Sequence, residues 1–265
     1  MAWWGKIVGG ACGLLLGGPL GALLGAALGH GFDKGLKQHD TLAFEGDEAA
    51  RERVQSAFFT ATFSVLGHIA KADGRVTPDE IRAARRLMNE LALNAQQREA
   101  AIALFRRGKA ADFPLDEVLD QFRAVAGRRR NLLRMFLEVL LHGAYADGQV
   151  RPEERRVLED VCARLSVPLP ELRRMESLIA AQYAAAAAAM AGRAEPSLQD
   201  AYASLGVGAE DDPAAIKQAY RRLLNRHHPD KLVAKGLPEE MMALAAQKTH
   251  DIKQAYERIR AARGF

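Results

Sequence analysis

The chain has 265 residues, of which 49% are hydrophobic and only 6% aromatic, and it carries a formal net charge of +4. That length admits one to three small domains with real cores, and the modest charge does not by itself imply nucleic acid. Cys12 and Cys162 lie far apart, which leaves a disulfide framework or a cysteine metal cluster without support and fits a reducing compartment. Alanine is abundant and alternating strand patterns are absent, so the composition favours an all-α protein. No Ser-His-Asp, Cys-His or phosphate-loop arrangement stands in a suitable context, and we expect no cofactor and no reaction catalysed by the chain's own residues.

From Ile7 to Gly29 there are 23 residues without a charge. As a helix they would extend roughly 35 Å, enough to cross a bilayer core of about 30 Å, so residues 1–30 read as a transmembrane anchor. Trp3, Trp4 and Lys6 stand where interfacial groups settle. A cleaved signal peptide fits less well, because the apolar run exceeds the usual length of about 7 to 15 residues. Gly9, Gly13, Gly17, Gly21, Gly25 and Gly29 recur every fourth residue and form a bare strip on one face. Such a strip lets a second helix approach closely, so a homodimer through this segment is expected. Lys34 and Lys37 follow the span against Lys6 before it, a slight bias that places the C-terminal side in the cytoplasm.

After a juxtamembrane linker over 31–49, the region 50–183 contains a repeat with an offset of 74 residues. Val65-Leu66 aligns with Val139-Leu140, His68 with His142, Ala72-Asp73-Gly74 with Ala146-Asp147-Gly148, Pro78 with Pro152, and Glu80 with Glu154. Each copy reads as helix, tight Asp-Gly turn, helix, and two such units should pack together as one bundle. Thr77 and Glu80 form a capping box, which Arg151 weakens in the second copy. The paired acids invite a metal reading, but a turn aspartate and a capping glutamate account for both, and no metal site is expected. His68 and His142 stand on apolar stretches and are expected to be buried and satisfied. These paired Ala-Asp-Gly-x-Val-x-Pro-x-Glu units resemble the TerB domain of tellurite-resistance proteins.

The alanine run 184–189 extends the preceding helix until Gly192 and Pro196 end it, giving a tether over 184–196. Beyond it, residues 200–207 read as a short helix closed by Gly206. Asp212 and Pro213 then start an amphipathic helix. Its apolar arc is Ile216, Ala219, Tyr220, Leu223, Leu224 and His227, which makes His227 a packed residue. The opposite face is cationic: between Pro213 and Lys231 there are five Lys or Arg and one acid, Asp230. The helix stops at His228-Pro229-Asp230, since proline disfavours helix at the residue before it. A second long periodic segment runs through Met241, Leu244, Ala245, Ile252, Ala255, Tyr256 and Ile259.

A short Tyr/Leu helix and two long helices joined by His-Pro-Asp-Lys resemble the J-domain of DnaJ-type co-chaperones, with Ala-Tyr-Arg-Arg-Leu at 219–223 and Ile-Lys-Gln-Ala-Tyr at 252–256 in matching places. The resemblance covers 197–265. It implies a DnaK-type ATPase as partner, docked by Lys217, Arg221, Arg222, Arg226 and Lys231, with His228, Pro229 and Asp230 passing on the signal that speeds ATP hydrolysis. The order of anchor, TerB-like bundle and terminal J-domain resembles the membrane-anchored DnaJ-like proteins of Gram-negative bacteria, which implies the inner membrane and cytoplasmic domains. The zinc-finger and Gly/Phe-rich segments of full DnaJ are missing. A scaffold or stress sensor whose bundle binds a partner or ion is the alternative function.

Overall fold

The computed structural model describes residues 18–29, 47–72, 74, 78–91, 93–145, 148–190, 197–234, 237–238 and 241–265, and every regular element among them is helical. The all-α expectation holds. We number the helices α1 (Gly18–Gly29), α2 (Asp47–Ala70), α3 (Pro78–Glu90), α4 (Ala95–Gly108), α5 (Leu115–Ala126), α6 (Arg130–Ala144), α7 (Pro152–Leu165), α8 (Leu169–Met190), α9 (Leu198–Leu205), α10 (Pro213–His227), α11 (Pro229–Val233) and α12 (Met242–Arg263).

The bundle is built around α2. Residues 54–67 are buried without a break, so this helix has no solvent face over four turns and must be enclosed by neighbours. α4, α5, α6 and α7 enclose it. Phe58 meets Phe122 and Phe136 edge-on at 5.9 Å, tying α2 to α5 and α6. Of the polar side chains on the same stretch, the Ser64 hydroxyl donates locally to the Thr60 carbonyl at 2.7 Å, whereas the buried Thr60 and Thr62 hydroxyls have no hydrogen-bond partner among the described residues.

The α2–α4 crossing depends on two glycines. A Cβ at Gly67 would lie 2.0 Å from the Phe105 carbonyl oxygen, and one at Gly108 would lie 1.8 Å from that of Ser64. Here backbone touches backbone, so neither position has room for a side chain.

The internal repeat is visible in the turns and in the packing. Gly74 and Gly148 both take left-handed conformations, at φ +84° and +93°, and their N–H groups donate to Lys71 and Tyr145 carbonyls that stand at the same offset of 74. α3 packs on α6 while α7 packs on α2, the exchanged contacts that a pseudo-twofold pair requires. Val65, Leu66, Leu87 and Leu91 are buried, as are their counterparts Val139, Leu140, Val161 and Leu165. At the start of α7 the Arg151 N–H donates to the Glu154 carboxylate at 2.8 Å. Arginine has no side-chain acceptor, so only the glutamate half of the expected box operates there. Asp73 and Asp147 lie outside the described residues, as does the side chain of Glu80.

Residues 7–17 of the expected membrane span, with Gly9, Gly13 and Gly17, also lie outside the described residues. The part within them, α1, rests on the bundle: Leu20, Leu23 and Leu24 are buried, and the Leu20 N–H donates to Gln121 Oε1 of α5 at 2.8 Å. Gly21 is buried on that side and Gly25 is exposed. Among the described residues no helix is long and apolar enough to cross a membrane.

α8 continues to Met190 and takes in the alanine run, as its composition predicts. The C-terminal unit follows. Ser197 caps α9 in a box with Asp200, and Gly206 closes it at φ +62°. α9 and α10 pack on α12 around Tyr202, Leu205, Ile216, Leu223, Ile252 and Ile259, and the Tyr220 and Tyr256 rings stack at 4.0 Å.

The periodic segment 241–259 keeps its one apolar face, but two cores share it along its length: Ile252, Ala255 and Ile259 enter the C-terminal core, whereas Met241 and Ala245 join the core of the bundle. From the glycine crossing we predict that Gly67→Ala or Gly108→Ala costs about 2–3 kcal/mol, the upper part of the usual overpacking range. Urea unfolding of the purified protein checks this, and an unchanged midpoint would mean that the two backbones are not in contact.

Candidate functional site

His228 ends α10 with extended backbone, φ −61° and ψ 122°, as a residue before proline should. Pro229 then occupies the first position of α11, where its missing N–H costs nothing. The tripeptide is thus a joint between two helices rather than a loop. The Lys231 and Leu232 N–H groups both donate to the His228 carbonyl at 3.1 Å, which fixes the angle of the joint. His228 Nδ1 lies 3.9 Å from Asp230 Oδ2, and their side chains are 48% and 85% exposed. Both face solvent and neither is consumed by a strong internal contact.

Lys217, Arg221 and Arg222 are exposed along α10 and form one open cationic face with the tripeptide at its end. Lys231 is also exposed and donates to Asn225 Oδ1. Arg226 differs from the others. It is half-buried and lines a cavity of about 490 Å³ between the bundle and the C-terminal unit, together with Arg134, Glu138, Glu171, Arg174 and Lys248. Burial and the neighbouring Arg134 lower its pKa, though a guanidinium starts so high that it stays charged.

At the edge of that cavity the packed histidine of α10 meets a buried acid. His227 Nε2 is 3.6 Å from Glu138 Oε1, and both side chains are less than one-tenth exposed. Burial raises the Glu138 carboxyl, but its electrostatic interactions with His227, Lys248, His142 and Arg226 outweigh it, and its pKa is lowered. Burial lowers the pKa of His227, and the cations Lys248, Arg226 and Arg134 add to this against the pull of Glu138. Glu138 Oε2 has no hydrogen-bond partner. Arg134 of the bundle is paired with Glu171.

The two repeat histidines are half-buried rather than buried. His68 stacks near Phe113 at 5.3 Å, and burial lowers its pKa. His142 is satisfied across the junction between the two units: its Nε2 is 3.4 Å from Lys248 Nζ, and burial followed by that lysine lowers its pKa to about 4. Among the described residues no group of three or more His, Cys, Asp or Glu could hold a metal ion. Burial pushes the Cys162 thiol up to about 12, which leaves it inert.

The sequence reading missed the residues that join the two units. Leu232, Leu237 and Met241, on the connection between α10 and α12, and Ala245, in the first turn of α12, are buried in the core of the bundle, and Gln55 Nε2 donates to the Leu237 carbonyl at 3.4 Å. The signal was present: a connection between two surface helices has no reason to carry Leu232, Val233, Leu237, Met241, Met242 and Leu244 unless something covers it.

A helical hairpin that presents an exposed His-Pro-Asp joint beside an open basic face is a J-domain, and the chain is a co-chaperone by class. The DnaJ domain family model matches residues 200–262, that of tellurite resistance protein TerB matches 59–177, and that of the co-chaperone DjlA transmembrane domain matches 1–39. Co-chaperone protein DjlA of Escherichia coli O157:H7 is 43% identical over 277 residues, that of Salmonella typhimurium 43% over 276, and that of Coxiella burnetii 40% over 269, each covering the whole of both chains. The chain therefore belongs to the DjlA co-chaperone family, with its transmembrane domain, TerB domain and DnaJ domain in that order. No solved structure matches it.

The junction should weaken in acid. His142 has a folded pKa of about 4 against an ordinary 6.5, so the unfolded chain takes up its proton first as pH falls, and stability is lost from about pH 6.5 downward. His227 shifts the same way, and the lowered carboxyl of Glu138 adds a loss on approach to its unfolded value. We predict a falling thermal midpoint between pH 7 and pH 5, and a flatter profile for His142→Phe. A midpoint independent of pH over that range would contradict the desolvation of these groups at the junction.

Proposed function

We propose that the protein stimulates ATP hydrolysis by a cytosolic DnaK-type chaperone and recruits that chaperone to the inner membrane, without catalysing a reaction of its own. The observation that carries this reading is the exposed His228 and Asp230 pair continuous with the cationic face of α10. In this reading Lys217, Arg221 and Arg222 dock on an acidic surface of the ATPase domain, Lys231 extends the same charge, and His228, Pro229 and Asp230 couple docking to hydrolysis, while Arg226, which the sequence grouped with the docking residues, faces the bundle instead. Charge of one sign on one face steers encounter, so association should slow with added salt over a screening length of about 8 Å at physiological ionic strength.

The anchor part of the proposal is that residues 7–29 cross the inner membrane once, with everything after them in the cytoplasm, and that the glycine strip pairs two copies. The 23 uncharged residues and the family match over 1–39 support the crossing. A cytoplasmic orientation agrees with the need of a DnaK-type partner for ATP.

The test uses the whole protein in lipid nanodiscs with its DnaK. His228→Gln or Asp230→Asn should abolish stimulation of steady-state ATPase while the helical content is unchanged, and equal stimulation by either variant would refute the assignment. Arg222→Ala should act through affinity, weakening half-saturation about tenfold, the loss of one charge-assisted contact of roughly 1.4 kcal/mol, with excess protein restoring the rate. In membranes, Gly13→Leu with Gly17→Leu and Gly21→Leu should reduce crosslinked dimer without preventing insertion. Undiminished crosslinking would show that the strip is not the contact.

A further inference from the structure

We infer that the helical bundle is a working part of the His-Pro-Asp site: it positions the tripeptide by holding α11 and the connection that follows it. The inference rests on the co-chaperone reading above and adds to it a set of positioning residues outside the J-domain.

α11 has five residues, Pro229–Val233, and carries two members of the tripeptide in its first turn. A helix that short does not pay its own nucleation cost, so something outside it must fix its direction. α10 and α12 flank it, but the J-domain core does not take up its apolar side chain or those that follow, since Leu232, Leu237, Met241 and Ala245 are absent from the cluster formed by Tyr202, Leu205, Ile216, Leu223, Ile252 and Ile259. All four belong instead to the continuous core of the bundle, at 1%, 0%, 0% and 0% exposure. Leu232 lies on the same helical turn as Asp230 and two residues beyond it, so its burial in the bundle fixes where Asp230 points.

Polar contacts reinforce the apolar ones from both sides. Gln55 of α2 donates to the Leu237 carbonyl, Lys248 of α12 reaches Gln182 of α8 at 3.5 Å and His142 of α6 at 3.4 Å, and Arg174 of α8 donates to the Gly206 carbonyl at 3.1 Å. The Thr249 hydroxyl on α12 donates to the His227 carbonyl at 3.1 Å, one residue before the tripeptide. The docked arrangement leaves His228, Asp230, Lys217, Arg221 and Arg222 exposed, so it presents the site rather than covering it. Docking of the J-domain on the bundle is accordingly the active state.

The experiment compares full-length protein in nanodiscs with Leu237→Asp, Leu237→Met and a tethered form. Leu237→Asp places a charge in the bundle core and should release the connection, seen as faster amide exchange over 229–245. It should lower maximal stimulation of DnaK about tenfold, as misplacement of a reacting constellation does, with little change in the half-saturating concentration because the basic face is untouched. Leu237→Met should restore both readings. The tethered form carries Gln182→Cys and Lys248→Cys, with Cys12→Ser, joined by a short bismaleimide; it should stimulate as well as the untethered pair. Loss of stimulation on tethering would mean that the docked state is inhibitory, and wild-type stimulation by a released Leu237→Asp would mean that the bundle does not position the tripeptide. Unchanged exchange in Leu237→Asp would remove Leu237 as an anchor. A wild type that fails to stimulate at all would refute the co-chaperone reading itself, while amide exchange would still report the docking.

Discussion

Burial of the apolar connection between α10 and α12 in the core of the bundle is the contact that turns two domains into one functional unit. A J-domain hairpin needs only α9, α10 and α12 to form a core, and here those three helices have one of their own. The residues after His-Pro-Asp find their burial elsewhere. Since apolar side chains leave water wherever the nearest complementary surface is, the bundle is drawn against the tripeptide joint, and the polar contacts around His227, Glu138 and Lys248 follow from that placement. The charged groups in the cavity specify the fit more than they stabilise it, because a buried ion pair returns little beyond its desolvation cost.

The N-terminal segment meets the same requirement in two possible solvents. Leu20, Leu23 and Leu24 are covered by α4 and α5 here, and in the proposed membrane span the same side chains would lie in lipid. Both placements satisfy an apolar helix, and they exclude one another for these residues. In the spanning arrangement the strip of small residues, rather than the leucines, is what distinguishes one helix face from the other, because lipid offers leucine no gain from pairing.

Much of this was legible in the sequence. The offset of 74 residues, the glycines that close each turn, the cap at Asp212, and the two faces of α10 all follow local rules of capping, turn chemistry and periodicity, and the structure reproduces them. What escaped is non-local. Helices α4 and α5 are needed because α2 is buried on every side over 54–67, and a stretch without periodicity does not say which neighbours enclose it. The Gly67–Gly108 crossing depends on two residues 41 positions apart, and nothing in either local sequence marks the other. Arg226 shares its helix face with three other cations, yet it turns into the cavity because the bundle lies on that side. The apolar residues from Leu232 to Ala245 were visible, but periodicity covered only those from Met241 onward and did not say that a second core takes them up.

The central claim is that the J-domain sits in a fixed position on the bundle. Spin labels on Ser177 of α8 and Gln218 of α10, both exposed and on opposite sides of the junction, permit a direct measurement by pulsed dipolar spectroscopy on the full-length protein in nanodiscs. A single narrow distance distribution, unchanged by salt and broadened by acid, is what the account predicts. A broad distribution at neutral pH, of the kind a flexible tether over 184–196 would produce, would contradict it.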